Sequence, residues 1–445
     1  MTTRPILITD AAPYGEARQD VLLAGGTIRA MGREAAEEAE RLDDLRRIDG
    51  AGCLLLPGLV DMHTHLREPG REDAETVETG SRAAARGGFT AVHAMANSSP
   101  TADTAGVVEQ VHRLGLESGW TEVYPVGAVT RGLRGEELAE LGAMADSAAA
   151  VRMFSDDGMC VHDPVLMRRA LEYVKSFGGL VAQHAQEPRL TDGAQMNEGS
   201  VSAVLGLPGW PAVAEEAIIA RDVLLAEHVG SRLHVCHVST RGSVDIIRWA
   251  KRRGVDVTAE VTPHHLLLTD ELVRSYDPVY KVNPPLRTDA DVRALREGLA
   301  EGTLDVVGTD HAPHPVEAKE CEWSTAAMGM TGLETALSVL QHTMIDTGMM
   351  DWRRLAEVTS ERPAQICGHP HQGRPIDVGE PAHLVLVDPT ARRPVDPALH
   401  ASKGRNSPFA GMELRGEVRA TLLSGHPVVV DGALETSLTG RTAAA

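Results

Sequence analysis

The chain has 445 residues, 42% hydrophobic and 24% charged, which is the make-up of a folded protein rather than a disordered one, and its length suits one large domain with a smaller companion. A formal net charge of -20 argues against a nucleic-acid-binding surface and requires any anionic substrate to find a local basic pocket. No window is apolar for long enough to span a bilayer, the start lacks signal-peptide regions, and the five cysteines Cys53, Cys160, Cys236, Cys321 and Cys367 have no CxxC spacing, so a cytoplasmic protein with no membrane partner and with buried, reduced thiols is expected.

In chain order, short β-like runs come first, at 5–9, 21–23 and 26–30, followed by an acidic helix-like stretch over 34–46. From Pro57 to about Gly332 one alternation then repeats: an apolar strand-like run, a polar loop and an amphipathic helical stretch. The predicted strands are 54–62, 90–95, 122–129, 151–155, 179–183, 233–237, 255–261 and 304–308, with helices such as 78–86, 164–177, 214–227, 243–253 and 290–300 between them. Eight such strands predict an α/β fold of the (β/α)8 TIM-barrel type. Glycine and proline in Gly368-His369-Pro370 and Gly373-Arg374-Pro375 interrupt the last helix, after which β-like runs return at 382–388, 416–423 and 427–430. The expected domains are therefore a barrel over 56–367 and a small β domain built from both ends, 1–55 and 368–445, with the alanines 443–445 as a frayed tail.

The chemistry starts with Asp61-Met62-His63-Thr64-His65-Leu66-Arg67. Alternation along a strand points His63 and His65 to one face, where two imidazoles make half a metal site, and Arg67 continues that parity with a guanidinium able to grip a carboxylate. In a parallel barrel the functional groups sit where strands end and loops begin. His63 and His65 end the first predicted strand, Asp156 and Asp157 the fourth, His184 the fifth, His237 the sixth and Asp310 the eighth. Chance would scatter these groups over both ends of the barrel. Imidazoles and carboxylates without thiolates suit Zn²⁺, Mn²⁺ or related ions, a pair of ions needs a bridging carboxylate, for which Asp157 is the candidate, and a two-ion site suits amide or imide hydrolysis. His93, His162, His264, His265 and His311 are read as structural.

The segments PGLVDMHTHLREPG (57–70), ETGSRAAARGGFTAV (78–92), FSDDG (154–158), AQHAQE (182–187), HVCHVST (234–240), VTAEVTPHHLLL (257–268), KVNPPLR (281–287), GTDHAPH (308–314) and GLET (332–335) together resemble the class I dihydroorotases of the amidohydrolase superfamily, from about Leu7 to the C-terminal region. The resemblance implies reversible conversion of L-dihydroorotate to N-carbamoyl-L-aspartate, a step of pyrimidine biosynthesis, on two divalent ions, with Zn²⁺ the expected metal. It implies His63, His65 and Asp310 at the first ion, His184 and His237 at the second, Asp157 rather than Asp156 as the bridge, and Asp310 as general acid/base. It further implies Arg67, Asn97 and His314 at the substrate carboxylate, and Asn283 with the Met328-Gly329 backbone at the dihydropyrimidine ring, His65 lying against the substrate as well. Many relatives bridge the ions with a carbamylated lysine, whereas residues 151–160 contain none. Met95-Ala96-Asn97-Ser98 replaces the family's usual Met-Pro-Asn-Thr and loses its rigid proline. Two neighbouring readings are another cyclic amidase, an allantoinase or dihydropyrimidinase, and a silent homologue that scaffolds an aspartate carbamoyltransferase. The complete ligand set argues against silence, while association with such a transferase and a homo-oligomer are both implied as partners.

Overall fold

The computed structural model describes residues 4–440; the alanine tail and the first three residues, on which part of the signal-peptide expectation rests, lie outside the described residues. Its centre is a set of parallel strands. β1 (Leu59–Thr64), β2 (Phe89–Ala94) and β3 (Glu122–Pro125) pair in that order, and so do β4 (Met153–Phe154), β5 (Leu180–Gln183), β6 (Leu233–Val235), β7 (Val257–Val261) and β8 (Val306–Val307). Isolated parallel bridges join the two ladders, Gly127 to Phe154 at one junction and Thr64 to His311, just beyond β8, at the other. The hydrogen-bonded circuit of these eight strands therefore returns on itself. All eight expected strands are present, most of them shorter than the apolar runs that announce them, because the run continues into loops that are buried without being paired.

Helices alternate with the strands: Val77–Arg86, Ala105–Ser118, Pro164–Lys175, Val213–Val229, Arg241–Arg252 and Asp289–Glu301. Their starts are set by Thr76, Asp163, Thr240 and Thr288, whose side chains accept the otherwise unpaired amide of the third helical residue. In Arg241–Arg252 the residues Val244, Ile247 and Ala250 form one buried stripe, and in Pro164–Lys175 Met167, Ala170, Leu171 and Val174 do the same. Each large side chain buried in this way is worth about 1.5–3 kcal/mol.

The run expected as one strand over 54–62 is two. Leu54–Pro57 and Leu59–Thr64 are separated at Gly58, where a Cβ would lie 2.4 Å from the Thr90 side chain and whose amide donates to the His383 carbonyl. Leu54–Pro57 pairs antiparallel with Leu384–Pro394 and parallel with Ile6–Pro13, so strands from both ends of the chain share one sheet among the described residues. That sheet also contains Arg46–Asp49, so the helix-like stretch expected over 34–46 is a helix only over Gly32–Ala39, and its last residue, Arg46, begins a strand. All five cysteines are free, but Cys321 is exposed rather than buried, since it lies in the polar loop 313–327 and not in an apolar run. No helix among the described residues is long and apolar enough to cross a membrane.

Candidate metal centre

The six groups singled out as metal ligands meet at the C-terminal ends of the parallel strands. Asp157, in the loop leaving β4, is their hub: its Oδ1 lies 3.3 Å from His63 Nε2, 3.3 Å from His184 Nδ1 and 3.2 Å from His237 Nε2, and its Oδ2 lies 3.3 Å from His65 Nε2. Asp310 Oδ1 is 3.0 Å from His65 Nε2 and 3.6 Å from His63 Nε2. His63, His65 and Asp157 form one group able to hold a cation, and Asp157, His184 and His237 a second, sharing the aspartate. All six residues are buried.

The electrostatics favour a cation here. Burial alone pushes the carboxyl of Asp157 up, but the neighbouring His63 charge and hydrogen bonds from His184 and His237 hold it well below the usual carboxylate range. Asp310 is likewise held down, to about 2, by His65 and the adjoining imidazoles against its burial. Burial likewise opposes a proton on His63, yet the Asp157 and Glu260 carboxylates on either side raise its pKa well above the ordinary value. His63 Nε2 nevertheless has no hydrogen-bond partner of acceptable geometry and is wholly buried. An orphaned ring nitrogen facing anionic oxygens is a fit for a metal ion, and a nitrogen and oxygen donor set without thiolates suits Zn²⁺ or its neighbours.

Asp156 does different work. Its carboxylate accepts the amides of Val129 and Thr130 at 2.8 and 2.9 Å and the Thr130 hydroxyl, tying the loop after β3 to β4. The adjacent aspartates thus have separate partners, one the loop after β3 and the other the imidazoles.

The expected substrate groups surround this centre. Among the described residues the Arg67 side chain makes one hydrogen bond, from Nε to the Pro313 carbonyl, which leaves both Nη groups for a ligand; burial and then the Arg71 charge lower its pKa to about 10, so it stays cationic at neutral pH. Asn97 Oδ1 lies 2.8 Å from His65 Nδ1. Asn97 therefore orients a metal-type imidazole and keeps only its amide nitrogen for a substrate. His314 donates from Nε2 to the Met328 carbonyl at 2.9 Å, and its buried Nδ1 has no partner. Asn283 Nδ2 donates to Gln186 Oε1, which in turn lies 2.7 Å from His184 Nε2, so Asn283 is wired to one of the histidines of the cluster. Gly329 has φ +150°, and a Cβ there would come within 2.7 Å of His314 Nε2. The Met328 side chain packs against Ala194, Trp210 and Ala214.

Of the histidines read as structural, His265 contacts the Thr262 hydroxyl and the Pro284 carbonyl, and His311 contacts Glu75 and accepts the Gly332 amide. His264 Nε2 is buried without a partner.

Sequence reasoning passed over Glu260, Gln186 and Lys319. Glu260, in β7, lies 2.5 Å from His63 Nδ1 and 3.2 Å from His234 Nε2, and accepts the His237 amide at 3.1 Å. Its available signal was a carboxylate in the otherwise apolar run Val257–Val261, which a buried strand does not tolerate without a partner. Lys319 is buried with Nζ donating to the carbonyls of Lys281, Ala327 and Gly329, holding the loop that carries Met328 and Gly329.

Residues 52–243 match the family model described as Dihydro-orotase-like. The chain is 66% identical over 428 residues to a dihydroorotase of Streptomyces coelicolor, covering 96% of this chain and 99% of that protein, and 55% identical over 428 residues to one of Mycobacterium tuberculosis, with the same coverage. Among solved structures it superposes on the L-hydantoinase (dihydropyrimidinase) of Arthrobacter aurescens with a TM-score of 0.85 at 26% identity, over 98% of both chains. The dihydropyrimidinase of Brevibacillus agri shares the fold, with a TM-score of 0.82 at 24% identity over 97% of this chain and 96% of that one. Sequence identity maintained over nearly the whole of both chains shows that this chain belongs to the dihydroorotase family.

Proposed function

We propose that the chain interconverts L-dihydroorotate and N-carbamoyl-L-aspartate on a pair of divalent ions, Zn²⁺ being the metal its donors suit, within a (β/α)8 barrel spanning 56–367. The closed circuit of eight parallel strands supports the barrel, and the single sheet shared by the two ends supports reading 1–55 and 368–445 as one small β domain. The observation that carries the proposal is the convergence of four imidazoles from β1, β5 and β6 on one aspartate, with a second aspartate 3.0 Å from His65.

His63, His65 and Asp310 would hold one ion and His184 and His237 the other, with Asp157 shared. Such ions polarise a carbonyl and supply a nucleophilic oxygen at neutral pH. Asp310, ionised and beside His65, accepts the proton of the attacking oxygen and passes it to the departing ring nitrogen, a carboxylate acting first as base and then as acid. In the biosynthetic direction the same group takes the proton from the carbamoyl nitrogen as the ring closes. Arg67 and the Asn97 amide nitrogen grip the substrate carboxylate. His314 cannot donate twice while neutral: its Nε2–H is committed to Met328, so Nδ1 offers a lone pair to a ring N–H. Asn283 and the backbone at Met328 and Gly329 complete the ring pocket.

Protein stripped of metal and assayed on dihydroorotate, allantoin and dihydrouracil, before and after addition of Zn²⁺, tests the reading. Metal-dependent turnover of dihydroorotate alone is expected. Preference for either of the other rings would assign the chain a different cyclic amide, and silence on all three would overturn the proposal.

A further inference from the structure

His93, Cys367 and His369 offer three metal-type donor atoms within 4.8 Å of one another and share no residue with the centre already described. His93 belongs to β2, while Cys367 and His369 bracket the glycine that ends the last helix, Arg362–Cys367. The adjoining cavity of ≈ 290 Å³ is lined by residues 149–153, where the chain enters β4; Asp157 lies where the chain leaves that strand. Along β4 the cluster therefore lies on the entry side and Asp157 on the exit side.

The arrangement has three marks of a built site. First, His93 Nδ1 lies 2.8 Å from the Asp61 carbonyl and must carry the proton to donate to it, so His93 Nε2 presents a lone pair. A second hydrogen bond that fixes the tautomer is how metal-binding imidazoles are usually oriented. Secondly, that lone pair faces His369 Nε2 at 2.8 Å. Two nitrogens on a tetrahedral ion at about 2.0–2.1 Å would sit about 3.3 Å apart, so the rings need to part by only about half an ångström. Thirdly, Tyr124 stacks on both imidazoles, with centroids 3.7 Å from His369 and 5.4 Å from His93, which limits ring rotation. Burial keeps both imidazoles neutral at physiological pH, with pKa values near 4 for His93 and 3 for His369, so neither ring has to lose a charge to become a ligand and His369 has only to change tautomer.

We propose that His93, Cys367 and His369 bind a thiophilic divalent ion of the Zn²⁺ class, with water from the cavity as the fourth ligand, and that this ion fastens the linker to the terminal β-sheet onto β2. Binding would exchange the Cys367 S–H bond for a sulfur–metal bond and release one proton to solvent, while the His369 proton moves from Nε2 to Nδ1. No electron is transferred.

Cobalt substitution reads the site directly, because only a thiolate ligand gives a sulfur-to-cobalt charge-transfer band in the near ultraviolet, and the centre around Asp157 contains no thiolate. Full-length protein stripped of metal and reloaded with Co²⁺ should show the band. It should persist in Cys236→Ser, whose thiol lies near His63, and disappear in both Cys367→Ser and His369→Ala, each of which should bind one ion per chain fewer than the parent and keep its turnover of dihydroorotate. His369 is partly exposed, so its variant should fold even where a change at buried Cys367 perturbs packing. No band in the parent, a band that survives Cys367→Ser, or equal metal content in all the proteins would overturn the proposal. Each of these results is independent of whether the centre around Asp157 is active.

Discussion

Replacing Glu260 with glutamine separates the metal centre from the buried layer that orients it. The carboxylate receives the His63 Nδ1–H at 2.5 Å and the His237 amide at 3.1 Å on the same oxygen, while its other oxygen faces His234 Nε2 at 3.2 Å. The glutamine oxygen can keep the first two contacts. Its NH₂ group can then donate to His234, provided that His234 moves its proton to Nδ1, which lies 2.8 Å from the Thr258 hydroxyl. Thus no donor need be orphaned, and the loss is confined to charge. A hydrogen bond to a charged group contributes about 1.5–3 kcal/mol and a neutral one about 0.5–1.5 kcal/mol, so the His63 bond weakens by about 1–1.5 kcal/mol and the His237 amide bond by a similar amount. Weakening these outer contacts should lower metal affinity about 10- to 100-fold, in the range expected for outer-shell changes. Competition against a chelator, followed by kcat measured at saturating Zn²⁺, is the assay: affinity should fall while saturated turnover recovers most of its value. Glu260→Ala should be worse, because it strands the donors of His63, His237 and His234 at about 1–3 kcal/mol each. Unchanged metal affinity in Glu260→Gln would refute a contribution of this carboxylate's charge to metal binding through His63.

Arg67→Ala should raise KM for dihydroorotate by at least about 30-fold, since truncating one partner of a buried charge pair costs about 2–5 kcal/mol, and should leave metal content unaltered; metal loss would instead make Arg67 structural. If His314 meets the ring as an acceptor, binding of a non-hydrolysed dihydroorotate analogue at pH 7 should take up no proton, so calorimetric enthalpies in buffers of different ionisation heat should agree. Proton uptake near one per site would mean that His314 binds the carboxylate as a cation. Lys319 gives a stability signature: burial, with the Lys281 charge adding to it, lowers its pKa from 10.5 to about 7. Its folded value lies below its unfolded one, so between about pH 7 and 10 the unfolded chain binds more protons and stability rises with pH, at a slope of up to about 1.4 kcal/mol per unit. Denaturant unfolding at several pH values should show this slope in the parent and lose it in Lys319→Met; equal slopes would remove Lys319 from the account.

The part of this molecule legible in the sequence is the part written at short range. Alternation places His63 and His65 on one face, and apolar runs that stop at Asp157, His184, His237 and Asp310 mark strand ends whatever lies between them in the chain. The break at Gly58 was not legible, because its cause is the Thr90 side chain, 32 residues away, together with a carbonyl at His383. Gln186 and Lys319 were missed for a related reason. Gln186 acts by linking His184 to Asn283, and Lys319 by binding three carbonyls, one of them at Lys281, and neither pairing has a period that a window of sequence could detect.

The buried acids at the strand ends share a task that explains why so few of them are ligands. Where a strand leaves its ladder its amides lose their partners, and a buried amide without an acceptor costs as much as a lost hydrogen bond. Asp61 collects the amides of His63 and Thr309, Asp156 those of Val129 and Thr130, and Glu260 that of His237, while Glu215, reaching over from the first turn of the helix Val213–Val229, takes those of Ser239 and Thr240. Three of the candidate site residues at these ends, Arg67, His237 and Asp310, adopt left-handed backbone at φ 61°, 32° and 47°, a conformation that costs about 1–3 kcal/mol per residue unless its surroundings hold it. The carboxylates provide part of that restraint: Glu260 binds the His237 amide directly, and Asp61 grips Thr309 immediately before Asp310. Asp156 and Asp157 are chemically identical neighbours with different work because one faces the loop that must be tied down and the other faces four imidazoles. Acid residues at these strand ends thus fall into two kinds, those that face the imidazole cluster and those that hold the backbone from which that cluster projects.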